Sequence, residues 1–243
     1  MKKYALVSTY YCFGCPTPLK ENVKQQFNYD GDIEDLYVNF SDDFDPWHMD
    51  HLTVGESGRK DLVFGKIFRL KDFVKDNILG KYEYIAHIDF MDAKFARSFI
   101  GMMDEFVLSG EDFIISTEKN CWPIIEHVRS WVDFPLEEKE FEYINSGAII
   151  SKIELFYEFL EKLSNLCLTS PINFNDDQGV WQYYNVAISR LNADKECKYF
   201  FSTAHLDDSY YSIVDGNIKT KFDTYPYLIH DNSSFSLNLI SKI

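Results

Sequence analysis

The chain has 243 residues, of which 46% are hydrophobic and 17% aromatic, and its formal net charge is −15. That length and apolar content suffice to bury a sizeable core, which argues against a disordered chain and fits one large domain, or one and a half; with no strong linker in the chain, a single domain over residues 1–243 is expected. The negative charge argues against nucleic acid as a partner, and no apolar run approaches the roughly 18 residues of a membrane span, so no transmembrane segment is expected.

The N-terminus reads as a first strand over residues 4–9 and not as a signal peptide, because the basic start is followed by neither a long apolar run nor a small-residue cleavage site. Residues 14–18 break the chain and 35–40 read as a second strand. Residues 42–60 are polar, carry Pro46, Gly55 and Gly58, and include Trp47, His48 and His51. A loop of that length in a compact domain is usually a lid or binding loop. Val63, Ile67, Leu70, Phe73 and Val74 recur at helical spacing, which predicts a helix over 62–77 that stops at Gly80. A strand at 84–88, a helix at 95–108 and a strand at 113–116 follow. Cys121-Trp122-Pro123 interrupts before a short helix ending near Trp131. Residues 143–150 read as a turn followed by a strand, 152–166 as a helix, 173–178 as a polar turn, and 179–191 as a second helix. The chain ends with a strand at 199–202, a hairpin around 216–221, and a short apolar run at 227–230. Strands alternating with helices predict an α/β fold with a mostly parallel sheet flanked by helices.

Five cysteines are present, an odd number at irregular spacing. Cys12 and Cys15 form C-x-x-C, but no second pair completes a zinc site, and reduced thiols of a cytoplasmic protein are the simpler reading. Attachment to a membrane surface through a partner is compatible with this location.

The stretch that speaks most clearly of chemistry is Tyr84 to Asp92, an apolar run ending in Asp89 and Asp92, spaced D-x-x-D. Carboxylates directly after a buried strand are costly unless something positive sits on them, and ligands of α/β folds bind outside the carboxyl ends of strands. Hard oxygen donors there suit Mg²⁺ or Mn²⁺ carrying a diphosphate. Three further polar clusters end apolar runs: Glu118 with Trp122, Asn175-Asp176-Asp177-Gln178, and His230-Asp231-Asn232. Turn and helix-cap preferences explain each alone; their common placement points to one site.

In this order and spacing the clusters resemble the glycosyltransferase domain of the procollagen lysyl hydroxylases, a GT-A-type nucleotide-sugar transferase. The matching pieces are Asp89-Phe90-Met91-Asp92, Ser116-Thr117-Glu118 with Cys121-Trp122-Pro123, Ile144-Asn145-Ser146-Gly147-Ala148, Asp176-Asp177-Gln178, and His230-Asp231-Asn232. The resemblance implies a GT-A-like, Rossmann-type fold and a retaining transfer of a hexose from a UDP-sugar to a glycan or glycoprotein hydroxyl. It implies that Asp89, Asp92 and His230 hold Mn²⁺ (or Mg²⁺) on the donor diphosphate. Asp176 or Asp177 would face the sugar as orienting group, base or nucleophile, with Glu118, Trp122 and Asn145 lining the sugar and acceptor side. Thr9 and Trp47 would contact the nucleotide, Lys66 the phosphate, and Asn232 the donor beside His230. The chain departs from the family at Met91, where the family has an aromatic residue, at Phe64-Gly65, where it has a glycine-rich stretch, and after Asn232, where it has a lysine. The same carboxylates would also serve a metal-dependent nucleotide-sugar hydrolase or phosphatase, and a degenerate transferase fold would serve as a binding module.

Overall fold

A computed structural model describes residues 2–11, 18–41, 56–89, 93–121, 128–130, 140–172, 174, 177–203 and 206–230. Strand β1 (Lys2–Tyr11), helix α1 (Lys20–Phe27), strand β2 (Leu36–Ser41), helix α2 (Glu56–Asn77) and strand β3 (Tyr82–Asp89) make a parallel β2-β1-β3 unit. β1 lies between β2 and β3, and its unbroken apolar run Ala5, Leu6 and Val7 is buried from both sides, as an interior strand requires. Next come β4 (Ala93–Phe95), α3 (Phe99–Ser109), β5 (Phe113–Glu118), β6 (Tyr143–Lys152), α4 (Ile153–Thr169) and α5 (Asp177–Tyr183). β6 runs antiparallel to β3, and β5 antiparallel to β6, giving the order β2-β1-β3-β6-β5. β6 therefore runs against the other four strands, and the sheet is mixed but mostly parallel in strand direction.

Alternation along the strands divides the core. Val7, Ile85 and Ile149 meet α2, α4 and α5 through Ile67, Leu70, Phe156 and Trp181. Leu6, Ala86 and Ile150 meet α1 and α3 through Phe27, Phe99 and Met102. Helices thus cover both faces, the α/β arrangement expected from the alternating elements. Among the described residues no helix is long and apolar enough to cross a membrane.

The chain then forms β7 (Phe200–Ser202), a hairpin of β8 (Tyr211–Val214) and β9 (Asn217–Thr220), and β10 (Leu228–His230). β10 lies between β4 and β7 in a second, three-stranded sheet, antiparallel to β4 and parallel to β7. The turn into β7 is folded around Asp194. Its carboxylate accepts the backbone N–H groups of Lys198 (2.9 Å), Tyr199 (2.7 Å) and Phe200 (2.8 Å). Burial pushes this carboxyl up to about 6, against the three N–H donors and Lys198, which pull it down.

Several boundaries differ from the sequence expectation. The expected helix at 62–77 starts earlier, at Glu56, so part of the expected 42–60 loop is helical; residues 42–55 lie outside the described residues. α1 was not expected at all; its buried face is only Val23 and Phe27 in a polar segment. The expected 95–108 helix starts later, because Ala93–Phe95 pairs with β10 and the Ser98 hydroxyl caps α3 by accepting Gly101 N–H at 2.9 Å. Residues 143–150, expected as a turn followed by a strand, are strand throughout, and the expected 179–191 helix is α5 followed by a π-helical turn, Tyr184–Ile188.

Candidate functional site

The β2-β1-β3 order reverses direction at β1, and α1 and α2 leave on opposite faces. Such a reversal opens a crevice past the carboxyl ends of the two diverging strands, here β1 and β3. Thr9 and Asp89 are register partners at that point. His87, two residues before Asp89, shares their face and is fully buried. Its Nε2 lies 2.7 Å from Thr9 Oγ1, and its ring stacks on Phe156 of α4 at 6.0 Å. Burial lowers its pKa to about 4; Asp89 and Asp177 oppose the shift and Lys66 adds to it. The imidazole is therefore neutral near pH 7. Among the described residues Nδ1 has no hydrogen-bond partner, so the tautomer that leaves no buried N–H unpaired there carries its proton on Nε2. Nε2 then donates to Thr9, and the Thr9 hydroxyl proton is left to point elsewhere.

Lys66 stands one turn before the buried Leu70 of α2, on the same helix face. Its Nζ is 2.9 Å from Asp89 Oδ1 in an ion-pair contact and 3.0 Å from Oδ2 in a hydrogen bond. It also lies 3.2 Å from Asp177 Oδ2 at the start of α5. The positive group that a strand-end carboxylate needs is thus supplied by α2.

α5 is held in place by two glutamines. Gln182 Oε1 accepts Ile144 N–H at 2.9 Å, and Gln178 Oε1 accepts Ser146 N–H at 3.5 Å. Here β6 runs past its last pairing with β3, Ile88 with Ala148. Four residues of helix rise about 6 Å and two residues of strand span about 6.6 Å, so an i, i+4 pair of glutamines replaces the missing strand. The same docking brings Asp177 Oδ2 within 3.5 Å of Ser146 Oγ.

Glu118, buried at the end of β5, accepts from Asn145 Nδ2 at 3.3 Å and from Gln178 Nε2. Asn145 Oδ1 in turn accepts Gly147 N–H at 2.8 Å and the Ser116 hydroxyl at 3.3 Å. His230 ends β10, is buried, and rests on Gly147: a Cβ there would lie 2.1 Å from its Cε1. Continuing the β3–β6 register by one step places Gly147 opposite Asp89. Gly147, on which His230 rests, is thus the next residue of β6 beyond the last β3–β6 pair, as Asp89 is the next of β3. Among the described residues no three His, Cys, Asp or Glu side chains form a group that could hold a metal; Asp92 lies outside them.

No protein-family model matches the sequence, and no curated protein matches it. Among solved structures, the chain is similar to a glycosyltransferase involved in the glycosylation of the major capsid of PBCV-1. That match has 13% identity and a TM-score of 0.49, over 98% of this chain and 97% of that one. It is also similar to mouse xyloside xylosyltransferase 1 in its apo form, at 13% identity and a TM-score of 0.47, over 97% of this chain and 99% of that one.

Of the residues singled out in the sequence, Thr9, Lys66, Asp89, Glu118, Asn145, Asp177 and His230 are described. Lys66, Asp89 and Asp177 are in direct contact, and Glu118 and Asn145 join them through Gln178 and Ser146. Trp47, Asp92, Trp122, Asp176 and Asn232 lie outside the described residues. Two members were not foreseen. His87 was legible as the same-face neighbour of Asp89, and Gln182 as the i+4 companion of Gln178.

Proposed function

We propose that the chain is a single-domain, metal-dependent glycosyltransferase that moves a hexose from a nucleoside-diphosphate sugar, UDP-linked, to a hydroxyl of a glycan or glycoprotein. The observation that carries this is the pairing of Thr9 with Asp89 at the sheet's reversal point, with Lys66 bridging Asp89 to Asp177. The motif order shared with the procollagen lysyl hydroxylase transferase domain supports it.

The donor atoms fit a divalent cation. Asp89, one residue past the last β3–β6 pair, and His230, packed on Gly147 beside that pair, offer the oxygen and nitrogen that suit Mn²⁺ better than Mg²⁺, and Asp92 would add the second carboxylate. When bound, Mn²⁺ would supply Lewis-acid stabilisation of the leaving diphosphate. Thr9, whose hydroxyl proton is not taken up by His87, would donate it to the donor nucleotide. Lys66 would neutralise phosphate charge as a point cation. Asp177, with Asp176 beside it in sequence, would orient a sugar hydroxyl or act as base or nucleophile. Glu118 and Asn145 would form the sugar-side wall, with Trp122 as a stacking platform, and Trp47 and Asn232 would contact the nucleotide.

The test follows nucleoside-diphosphate release from a panel of nucleotide sugars, with Mn²⁺, with and without sugar acceptors. Acceptor-dependent release is expected. Equal release without acceptor would make the chain a hydrolase. Silence across the panel, with no thermal shift from UDP and Mn²⁺, would leave a binding module or less. Asp92→Asn should abolish release; wild-type rates in that variant would remove the D-x-x-D pair from the metal site.

A further inference from the structure

Lys66 occupies the carboxylate that the proposed metal needs. Its ammonium makes one two-pronged contact with Asp89, at 2.9 and 3.0 Å, and a second contact with Asp177 at 3.2 Å. The Lys66 side chain is 17% exposed, and those of Asp89 and Asp177 28% and 22%. Screening by solvent is therefore partial, and the charges act strongly on one another. A divalent cation on Asp89 would sit within a few ångströms of this ammonium, and the two positive groups repel. A nucleoside diphosphate brings negative charge to the same crevice and offers the lysine a new partner.

We infer, building on the transferase function proposed above, that Lys66 is an exchangeable internal cation. Without ligand it neutralises Asp89 and ties it to Asp177. Metal binding displaces it from Asp89, and the donor's diphosphate accepts it. Metal alone must break an ion pair and so binds weakly; metal with diphosphate replaces that ion pair and binds well. Metal and nucleotide are thereby coupled through one side chain, and the coupling is reciprocal. Release of Lys66 from Asp177 would also free that carboxylate for the sugar only when a donor is present.

The experiment measures Mn²⁺ binding to the full chain from the signal of free Mn²⁺ in electron paramagnetic resonance, with Mn²⁺ alone and with saturating UDP. It compares wild type with Lys66→Met, which keeps the length of the side chain and removes its charge, and with Lys66→Arg. In Lys66→Met, Mn²⁺ alone should bind about tenfold more tightly, and the gain in Mn²⁺ affinity caused by UDP should shrink by a similar factor, within the range usual for coupled sites. Lys66→Arg should stay nearer to wild type. Equal or weaker Mn²⁺ binding by Lys66→Met overturns the exchange while leaving the metal site standing. Absence of Mn²⁺ binding in both proteins, with and without UDP, overturns the exchange and the metal-dependent function together. If Lys66→Met does not fold, Lys66→Gln serves for the same comparison.

Discussion

Gly147 of β6 and His230 of β10 pack so closely that a methyl group on the glycine would lie 2.1 Å from His230 Cε1 and 2.9 Å from its Nδ1. Gly147 is not among the residues with positive φ, so space and not backbone angle demands the glycine. This contact joins the small sheet to the large one at the place where Asp89 ends β3.

Gly147→Ala should therefore displace His230. Overpacking of this kind costs about 1–3 kcal/mol, to be read from urea unfolding. If His230 is a metal ligand, the variant should also lose most Mn²⁺-dependent activity. Wild-type stability would show that the imidazole can swing clear.

Two buried groups pull stability in opposite directions as pH falls. His87 has a folded pKa of about 4 against an ordinary 6.5, so the unfolded chain binds more protons between those values. Its share of stability is full above about 6.5 and falls by about 3 kcal/mol as pH drops to 4. Asp194 has a folded pKa of about 6 against 3.8, so in that window the folded chain binds more protons. Its burial penalty is present above about 6 and is relieved by about 3 kcal/mol as pH falls towards 3.8. Relative to wild type, His87→Phe should become less sensitive to acid and Asp194→Asn more sensitive, measured by urea unfolding at pH 4.5, 5.5 and 7. Parallel profiles for all three proteins would contradict both assignments.

Gln182→Leu removes the acceptor of Ile144 N–H in the buried interface between α5 and β6. An unpaired buried donor costs about 1–3 kcal/mol. Hydrogen exchange should show Ile144 and the start of α5 losing protection while β1 and β3 keep theirs. Unchanged exchange at Ile144 would mean that the glutamine does not substitute for a strand.

Thr9→Val keeps the shape of the side chain and leaves the His87 Nε2–H without its acceptor. The expected loss is again about 1–3 kcal/mol, with Thr9→Ser close to wild type. If the Thr9 proton serves the nucleotide, Val should also weaken UDP binding while Ser preserves it. A Val variant as stable as wild type would remove the Thr9–His87 hydrogen bond from the account.

Much of the architecture was legible because it is written locally. The apolar run at Ala5, Leu6 and Val7 is buried from both sides, as an interior strand must be, and the Ile67, Leu70 and Val74 spacing gave α2 its core face. β4 was not legible: Ala93–Phe95 is a strand only because β10, more than 130 residues later in the chain, lies beside it. The start of β6 departs from its turn-like sequence for a related reason. Asn145, Ser146 and Gly147 have turn chemistry, but Gln178 and Gln182 supply strand-like partners.

The sequence by itself determined the α/β class, the strands that end in polar residues, and the residue types available for chemistry. These depend on periodicity and on neighbours a few positions apart. Only the tertiary structure decided that Lys66 sits between Asp89 and Asp177, that His87 is neutral and turned to Thr9, and that Gly147 makes room for His230. Each of those relations joins separate elements. Each depends on distances of a few ångströms, over which charge, burial and steric contact act, and which no spacing along the chain encodes.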